Sequence, residues 1–513
     1  MMKWSGWCRR LLAAVSAVFL VALAVGATAQ EPPVRLTLKE AIRGAVEKNL
    51  DVKAELYNPA AAEATFRGTR GIYNPQFSLA ANYQDSSTPS TSTFLTGGTS
   101  TREERDLNAS AGATQLLPIG ATVGLSLNND WIRNNLPEGF LSDYWESQLS
   151  LNFSQPLLKN FGREATEINI SVARFGKKEA LDQFRQKLLD VIAQVRNAYF
   201  KLYSLRQALD VQQTSLKLAE KVLADTRAQV KAGVLPAMEI LNAEFGVASR
   251  QRDLNLAEQA VKDQEDVVRL LLQLKAPGEI IPADVPSRTL YQVDTAAEIH
   301  RALAERPDLK SLHTALQSDK LQARVARNQT LPDLSLKASV ASSGLHSGLD
   351  RDFQQIGSVD YPVWQVGMQL TYPFGNDAAR NTAIRSRLQV GQTRVQILGL
   401  EETIGNDVRS AVRALQTSYK QIEVTDRGRA YAEERLKAYI KKNAVGLATT
   451  KDVLDVENDL VSAKNDQIQA LADYADAKTR LWQVTGELLQ REGITFSADA
   501  VNRLYQEAAK GGE

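Results

Sequence analysis

Two stretches, residues 164–232 and 377–445, each run for about 69 residues without a proline. Proline inside a helix removes a hydrogen bond and clashes with the preceding turn, so each stretch can be one helix, roughly 100 Å long at 1.5 Å per residue. No ordinary globular domain needs that length. In the first stretch Leu188, Val195, Leu202, Leu209, Leu216, Leu223 and Val230 fall at an unbroken spacing of seven. Val191, Ala198, Leu205 and Ala219 supply much of the companion position, which predicts a left-handed coiled coil. The second stretch keeps Val408, Leu415, Ile422 and Leu436 but has Glu401, Arg429 and Asn443 at equivalent places. It is expected to pack in a different register or to face water more.

The two stretches belong to an internal duplication. Ala45, Asp51, Pro75, Ser78 and Leu79 recur at +257 as Ala302, Asp308, Pro332, Ser335 and Leu336; Gln148 and Pro156 recur at +217; Val195, Arg196, Ala219, Gly233, Leu241 and Glu244 recur at +213. The copies span 30–275 and 295–486, and the proline-bearing stretch 276–294 between them reads as a linker, with a tail at 487–513. Each copy has the same order: a short helix, β-type segments, a very long helix, a tight turn and a returning helix. Leu38 to Asn49 is the first short helix, with a capping-box pattern in Thr37 and Glu40, and Ala296 to Glu305 is its counterpart. The drop from 257 to 217 gives the first copy 40 extra residues within its β-type region.

Lys3, Arg9 and Arg10, the uncharged run Leu11 to Gly26 and the small-residue site Ala27-Thr28-Ala29 read as an export signal, residues 1–29. The only cysteine, Cys8, lies inside it. With 61 Lys+Arg against 60 Asp+Glu, the charge argues against a nucleic-acid partner, and 43% hydrophobic residues argue against disorder. No further run of 18 or more apolar residues follows, so entry into a membrane requires a β-barrel. The β-type segments fit one. Phe77, Leu79, Ala81 and Tyr83 alternate with polar or small residues, as do Leu149, Leu151 and Phe153, Leu334 to Val340, and Trp364 to Tyr372. Trp131, Trp145 and Trp364 lie in or beside these segments, where an aromatic girdle sits. Alternation alone fits a half-buried sheet on a helix equally well; the export signal shifts the balance to the barrel.

At the turns between long helices, Gly233 and Gly446 can take the left-handed conformation that ends a helix. Pro236 suits the start of one returning helix, and Thr449 with Asp452 suits the cap of the other. The second turn, Gly446-Leu447-Ala448-Thr449-Thr450-Lys451-Asp452-Val453-Leu454-Asp455, carries an acidic Asp-Val-Leu-Asp stretch; the first, from Gly233-Val234-Leu235-Pro236 to Glu239, is looser. With the Gln155 to Leu157 and Tyr372 to Phe374 strand ends, this arrangement resembles the TolC-type outer-membrane efflux and secretion channel family over nearly the whole chain. The resemblance implies a mainly α fold with a membrane β-barrel portion. Three copies would share a barrel and build a periplasmic α-helical tunnel in a Gram-negative type envelope. It implies a passive exit duct without enzymatic activity or cofactor, fed by an inner-membrane pump through a periplasmic adaptor.

Within that frame Asp452 and Asp455 are candidate constriction carboxylates, repeated by symmetry as acidic rings, and Glu239 is a candidate for a hydrogen bond across the constriction. Asp452 is equally a helix cap. Gly233, Val234, Leu235, Gly446, Leu447 and Ala448 are candidate adaptor-docking tips. Where the family carries a basic residue after the second glycine this chain has Ala448, which supplies no closing ion pair. The 40 extra residues read as two further strands, Leu107 to Leu117 and Ala121 to Asn129, joined by a turn at Pro118 and Gly120. They allow six strands per chain, whereas the resemblance favours four, with the added hairpin lifted above the membrane. The competing classes are an enzyme and a structural periplasmic coiled-coil protein. His300, His313 and His346 are scattered, without metal-ligand or nucleophile spacing. Cargo is not written in the sequence; efflux and type I protein secretion share this channel type.

Overall fold

A computed structural model describes residues 33–96, 98–275, 278–495 and 499–510. The export signal lies outside the described residues. The chain forms two compact units, and each takes pieces from both sequence repeats: one from 1–53, 187–304 and 406–495, the other from 54–186, 305–405 and 496–513.

The first unit holds the helical hairpins. Helix α1 (Leu38–Lys48) starts at Thr37, whose side chain accepts the Glu40 N–H while Glu40 returns a bond to the Thr37 backbone. Asn49 ends α1, and its Oδ1 accepts the N–H groups of Asp51 and Val52 at 2.9 and 3.2 Å, so it also caps a second helix, α2 (Leu50–Thr69). The simple expectation of one short helix per copy is therefore corrected: each copy has two. Helix α3 (Ile168–Lys231) returns as α4 (Met238–Leu272). The second copy supplies α5 (Thr295–Glu305), α6 (Pro307–Asn328), α8 (Asp377–Ala444) and its returning partner α9 (Thr450–Val484); α6, like α2 from Ala54 on, belongs to the second unit. The Ile280–Pro282 segment of the expected linker, β6, pairs in parallel with β1 (Val34–Leu36), and the Asp284 carboxylate accepts the Leu38 N–H at 2.6 Å. That stretch is a packed tie within the first unit.

The seven-residue seam of α3 is buried over its first half, at Leu188, Val195 and Leu202 with Val191 and Ala198 beside them; beyond it Leu209, Leu216, Leu223 and Val230 are only half-buried, and the buried positions move to Ser215, Ala219 and Thr226. In α8, Val408, Leu415, Ile422 and Leu436 are buried, while Ile384, Leu388, Val395 and Leu398 lie exposed. Arg429, a charge in the seam, is accommodated by bonds to Glu433 and to the Gln467 side chain on α9, both 2.9 Å.

The second unit contains one antiparallel sheet of six strands in the order β2-β3-β4-β5-β7-β8. They are β2 (Gln76–Pro89), β3 (Thr101–Leu116), β4 (Thr122–Asn134), β5 (Asp143–Pro156), β7 (Asp333–His346) and β8 (Pro362–Thr371). The two extra strands of the first copy join the sheet: β3 and β4 are inserted side by side between β2 and β5, with no break in the ladder. Period-2 alternation puts Phe77, Leu125, Leu151, Val340 and Trp364 on one face, all strongly exposed. The other face is polar or small, and a cavity of about 650 Å³ lined from Ser78 on β2 to Gln369 on β8 shows that the sheet curves around it. Helix α7 (Leu349–Ser358) lies against β5 and β7, with Asp352 fully buried and accepting the Ser147 hydroxyl. The last helix, α10 (Asp499–Lys510), sets the Tyr505 ring under the Arg67 guanidinium, 4.3 Å from its centroid. No helix among the described residues is long and apolar enough to cross a membrane.

Candidate gate at the helical turns

The two turns are built alike. Gly233 has φ +76 and Gly446 φ +73, the left-handed geometry that a Cβ disfavours. In both, the next residue's N–H reaches back five residues to close the helix end: Val234 to the Gln229 carbonyl and Leu447 to the Lys442 carbonyl, each 2.9 Å. Asn443 Nδ2 donates to the Ala448 carbonyl at 2.9 Å, fixing the second turn from inside. Val234 and Leu447 stand 66% and 77% exposed, so the tips present apolar side chains to solvent, while Leu235 and Ala448 are half-buried.

The returning helices start differently. Thr449 and Asp452 form a full capping box: Thr449 Oγ1 accepts the Asp452 N–H at 3.1 Å, and Asp452 Oδ2 accepts both the Thr449 N–H and hydroxyl at 2.8 Å. These bonds hold the Asp452 carboxyl below the usual carboxylate range, so it stays charged. On the first turn the cap position is Ala237, without a side-chain bond, and Pro236 lies just outside the helix. Asp455 is exposed and has no hydrogen-bond partner among the described residues. Glu239 is half-buried, and its Oε2 is enclosed without a partner among the described residues. No hydrogen bond there joins Glu239 to Asp452 or Asp455.

What ties the hairpins together is a cluster that the motif reading did not single out. Arg250 on α4 donates through Nε and Nη2 to Glu457 Oε2 on α9 at 2.9 and 2.7 Å, and Ser215 on α3 donates to Glu457 Oε1. Nearer the turns, the Thr226 and Thr450 hydroxyls meet at 3.3 Å. Between these levels α4 and α9 approach so closely that a Cβ on Gly246 would stand 2.7 Å from Leu454 Cδ1. The signal available in sequence was that glycine inside a helix, with Arg250 one turn on; an interior glycine marks close approach.

Long paired helices, matched glycine turns and a curved sheet with one apolar face meet in few folds. The sequence matches the family described as "Outer membrane efflux protein" over residues 41–272 and 299–487. The chain belongs to that family. It is an outer-membrane efflux exit duct, with a helical tunnel portion and a β-barrel portion. Among its relatives is "Outer membrane efflux protein BepC" of Brucella suis, 25% identical over 344 residues, which are 66% of this chain and 72% of that one. Another is "Alkaline protease secretion protein AprF" of Pseudomonas aeruginosa, 26% identical over 377 residues, 70% of this chain and 74% of that one. The crystal structure of the Campylobacter jejuni CmeC outer membrane channel superimposes with a TM-score of 0.63 at 16% identity, over 92% of this chain and 89% of that one, a likeness of fold.

Proposed function

We propose that this outer membrane efflux protein works as a homotrimer that receives cargo from an inner-membrane pump through a periplasmic adaptor. The observation that carries the reading is the pairing of two unsatisfied surfaces in one chain. The β-sheet leaves two free edges and an apolar face, and α8 leaves Ile384, Leu388, Val395 and Leu398 uncovered on its surface. Copies of the chain cover both kinds of surface at once, and outer-membrane lipid covers the apolar face.

In this reading the tips formed by Gly233, Val234, Leu235, Gly446, Leu447 and Ala448 receive the adaptor through their exposed Val234 and Leu447. The conduit narrows where α9 begins. There Asp455, exposed and unengaged, supplies the main ring of charge, and Asp452 caps α9 with one oxygen while adding a second ring. Glu239 serves the closed state. Concentrated negative charge favours cations in a narrow pore.

The relative named for alkaline protease secretion supports a second reading, the outer-membrane component of a type I secretion system, in which the same duct passes an unfolded protein. Membrane fractionation, crosslinking of the intact protein and planar-bilayer recording test the proposal. A trimer in the outer membrane that conducts cations preferentially is expected; a monomer recovered from the periplasm refutes it. Co-purification with a pump or with a secretion transporter separates the two readings.

A further inference from the structure

We infer that the membrane barrel of this protein is built from six strands per chain, eighteen in the trimer, and that its edges β2 and β8 are the surfaces on which neighbouring copies pair. The inference rests on the homotrimeric reading above and goes beyond it in naming the wall that the three copies make.

Register carries the argument. Following the ladder across the sheet, Phe77, Ala113, Leu125, Leu151, Val340 and Trp364 stand directly opposite one another, strand to strand, in a single row. Every residue of that row is apolar and all lie on one face. The adjacent row on the other face is Gln76, Thr114, Gly124, Asn152, Ser339 and Gln365, polar or glycine throughout. A hairpin destined for water outside the cell has no need to keep an apolar residue in step with four membrane strands. The inserted strands β3 and β4 keep it, and they also keep the polar row. Their residues on the curved inner side are small where neighbours crowd: a Cβ on Gly112 would lie 2.9 Å from Ser78 Oγ, and one on Gly124 3.3 Å from Thr114 Cγ2.

The edges select the occupant. In hydrocarbon an unpaired strand edge leaves backbone N–H and C=O groups without partners, which a membrane does not tolerate. Five successive antiparallel pairings lead from β2 to β8, so the two edges run in opposite directions, and both alternate apolar-out, polar-in. A second copy therefore offers β8 to the first copy's β2 in the antiparallel sense with the faces matched, and a third closes the ring. With strands about 4.8 Å apart and tilted near 40°, eighteen strands give a backbone diameter of about 36 Å, against about 24 Å for twelve. The cross-section roughly doubles, so the outer-membrane portion is not where passage is limited; the helical turns are.

Electron cryomicroscopy of the unmodified protein in lipid nanodiscs, averaged with three-fold symmetry, counts the strands directly. Eighteen are expected. Independently, Ser126→Cys with Ser150→Cys, whose hydroxyls are 2.7 Å apart on β4 and β5, should form an intrachain disulfide in membrane-inserted trimers, and a single cysteine at Leu125 should label from the lipid phase. Twelve strands in a trimer, with Leu125 labelled only by an impermeant reagent from outside the cell, overturn this inference and leave the exit-duct reading standing. A monomer in the soluble periplasm overturns both.

Discussion

Removing the charge of Glu457 tests whether the two hairpins are held together by the buried cluster or by apolar packing alone. The Arg250 and Glu457 side chains are 10% and 4% exposed, and they share two hydrogen bonds, a bidentate donation by one guanidinium to one carboxylate oxygen. In Glu457→Gln the shape and the Ser215 contact are retained, but the guanidinium loses its buried counter-charge. The amide oxygen can still accept from it, but its remaining negative charge is the Asp253 carboxylate at 4.0 Å on its own helix, beside the Leu454 carbonyl at 3.3 Å. Breaking one side of a buried pair costs about 3–5 kcal/mol, and the nearby Asp253 places this case toward about 3. Hydrogen exchange of the α4 and α9 amides flanking the cluster reads that loss as local opening. At about 1.4 kcal/mol per tenfold, exchange should accelerate by roughly a hundredfold or more. Replacing both partners, Arg250→Met with Glu457→Leu, should restore protection to within about 1 kcal/mol of the parent, because desolvation of two charges then disappears with their attraction. An acceleration below about fivefold in Glu457→Gln, or a double variant that loses the sum of its singles, would show that the cluster does not join the hairpins.

Four further outcomes are expected. Asp452→Asn with Asp455→Asn should weaken cation selectivity and block by multivalent cations in single-channel recordings while the trimer still assembles; Asp455→Asn alone should give most of the effect, since Asp452 also caps α9. A Cβ added at Gly446 meets nothing within 4 Å, so the penalty of Gly446→Val comes chiefly from the left-handed φ of +73, about 1–2 kcal/mol; the change should reduce crosslinking to the adaptor, and Gly446→Asn should recover much of it. Asp476 is pushed up from 3.8 to about 6, chiefly by burial and also by Asp473, against the opposing charges of Lys201 and Arg196. The folded state therefore binds more protons than the unfolded between about pH 4 and 6, stability falls as pH rises through that window, and Asp476→Asn should be more stable than the parent at pH 7.5, on the order of 2 kcal/mol, with the gain vanishing below pH 4 in paired melts. In Gly344→Ala the added Cβ would meet the Asp352 carbonyl, so α7 should detach from β5 and β7, read as new proteolysis within 347–361 of otherwise intact protein.

The helical portion and the turns were legible because their signals are local. A heptad seam and the lack of proline fix α3 and α8, and Thr449 with Asp452 at a spacing of three fixes the start of α9. The second short helix of each copy was hidden by its own chemistry. Pro59 inside α2 reads as a breaker, and Arg306-Pro307 reads as a stop, although the proline at the first position of α6 is where a helix tolerates one. β1 and β6 are three residues each, too short for any alternation to show. At the candidate gate the sequence places Asp452 on a cap and Asp455 on an exposed face, but nothing local ties Arg250 to Glu457, 207 residues away.

The strand count turned on the same distinction between local and non-local information. Alternation marked Leu107 to Leu117 and Ala121 to Asn129 as strands, yet a strand pattern is silent on which strand lies beside which. Only register brings Ala113 between Phe77 and Leu125, and so converts six separate alternations into one apolar row. The polar ends of β3, Thr101 to Asp106, carry no apolar signal because they continue past the row to the outer rim, where Arg105 pairs with Asp85 at 3.1 Å. A charge-paired rim above an apolar row is what a wall crossing from lipid into water requires, since each segment need satisfy only the solvent at its own height. The added hairpin carries both features in step with its neighbours, and for that reason it belongs to the wall of the duct.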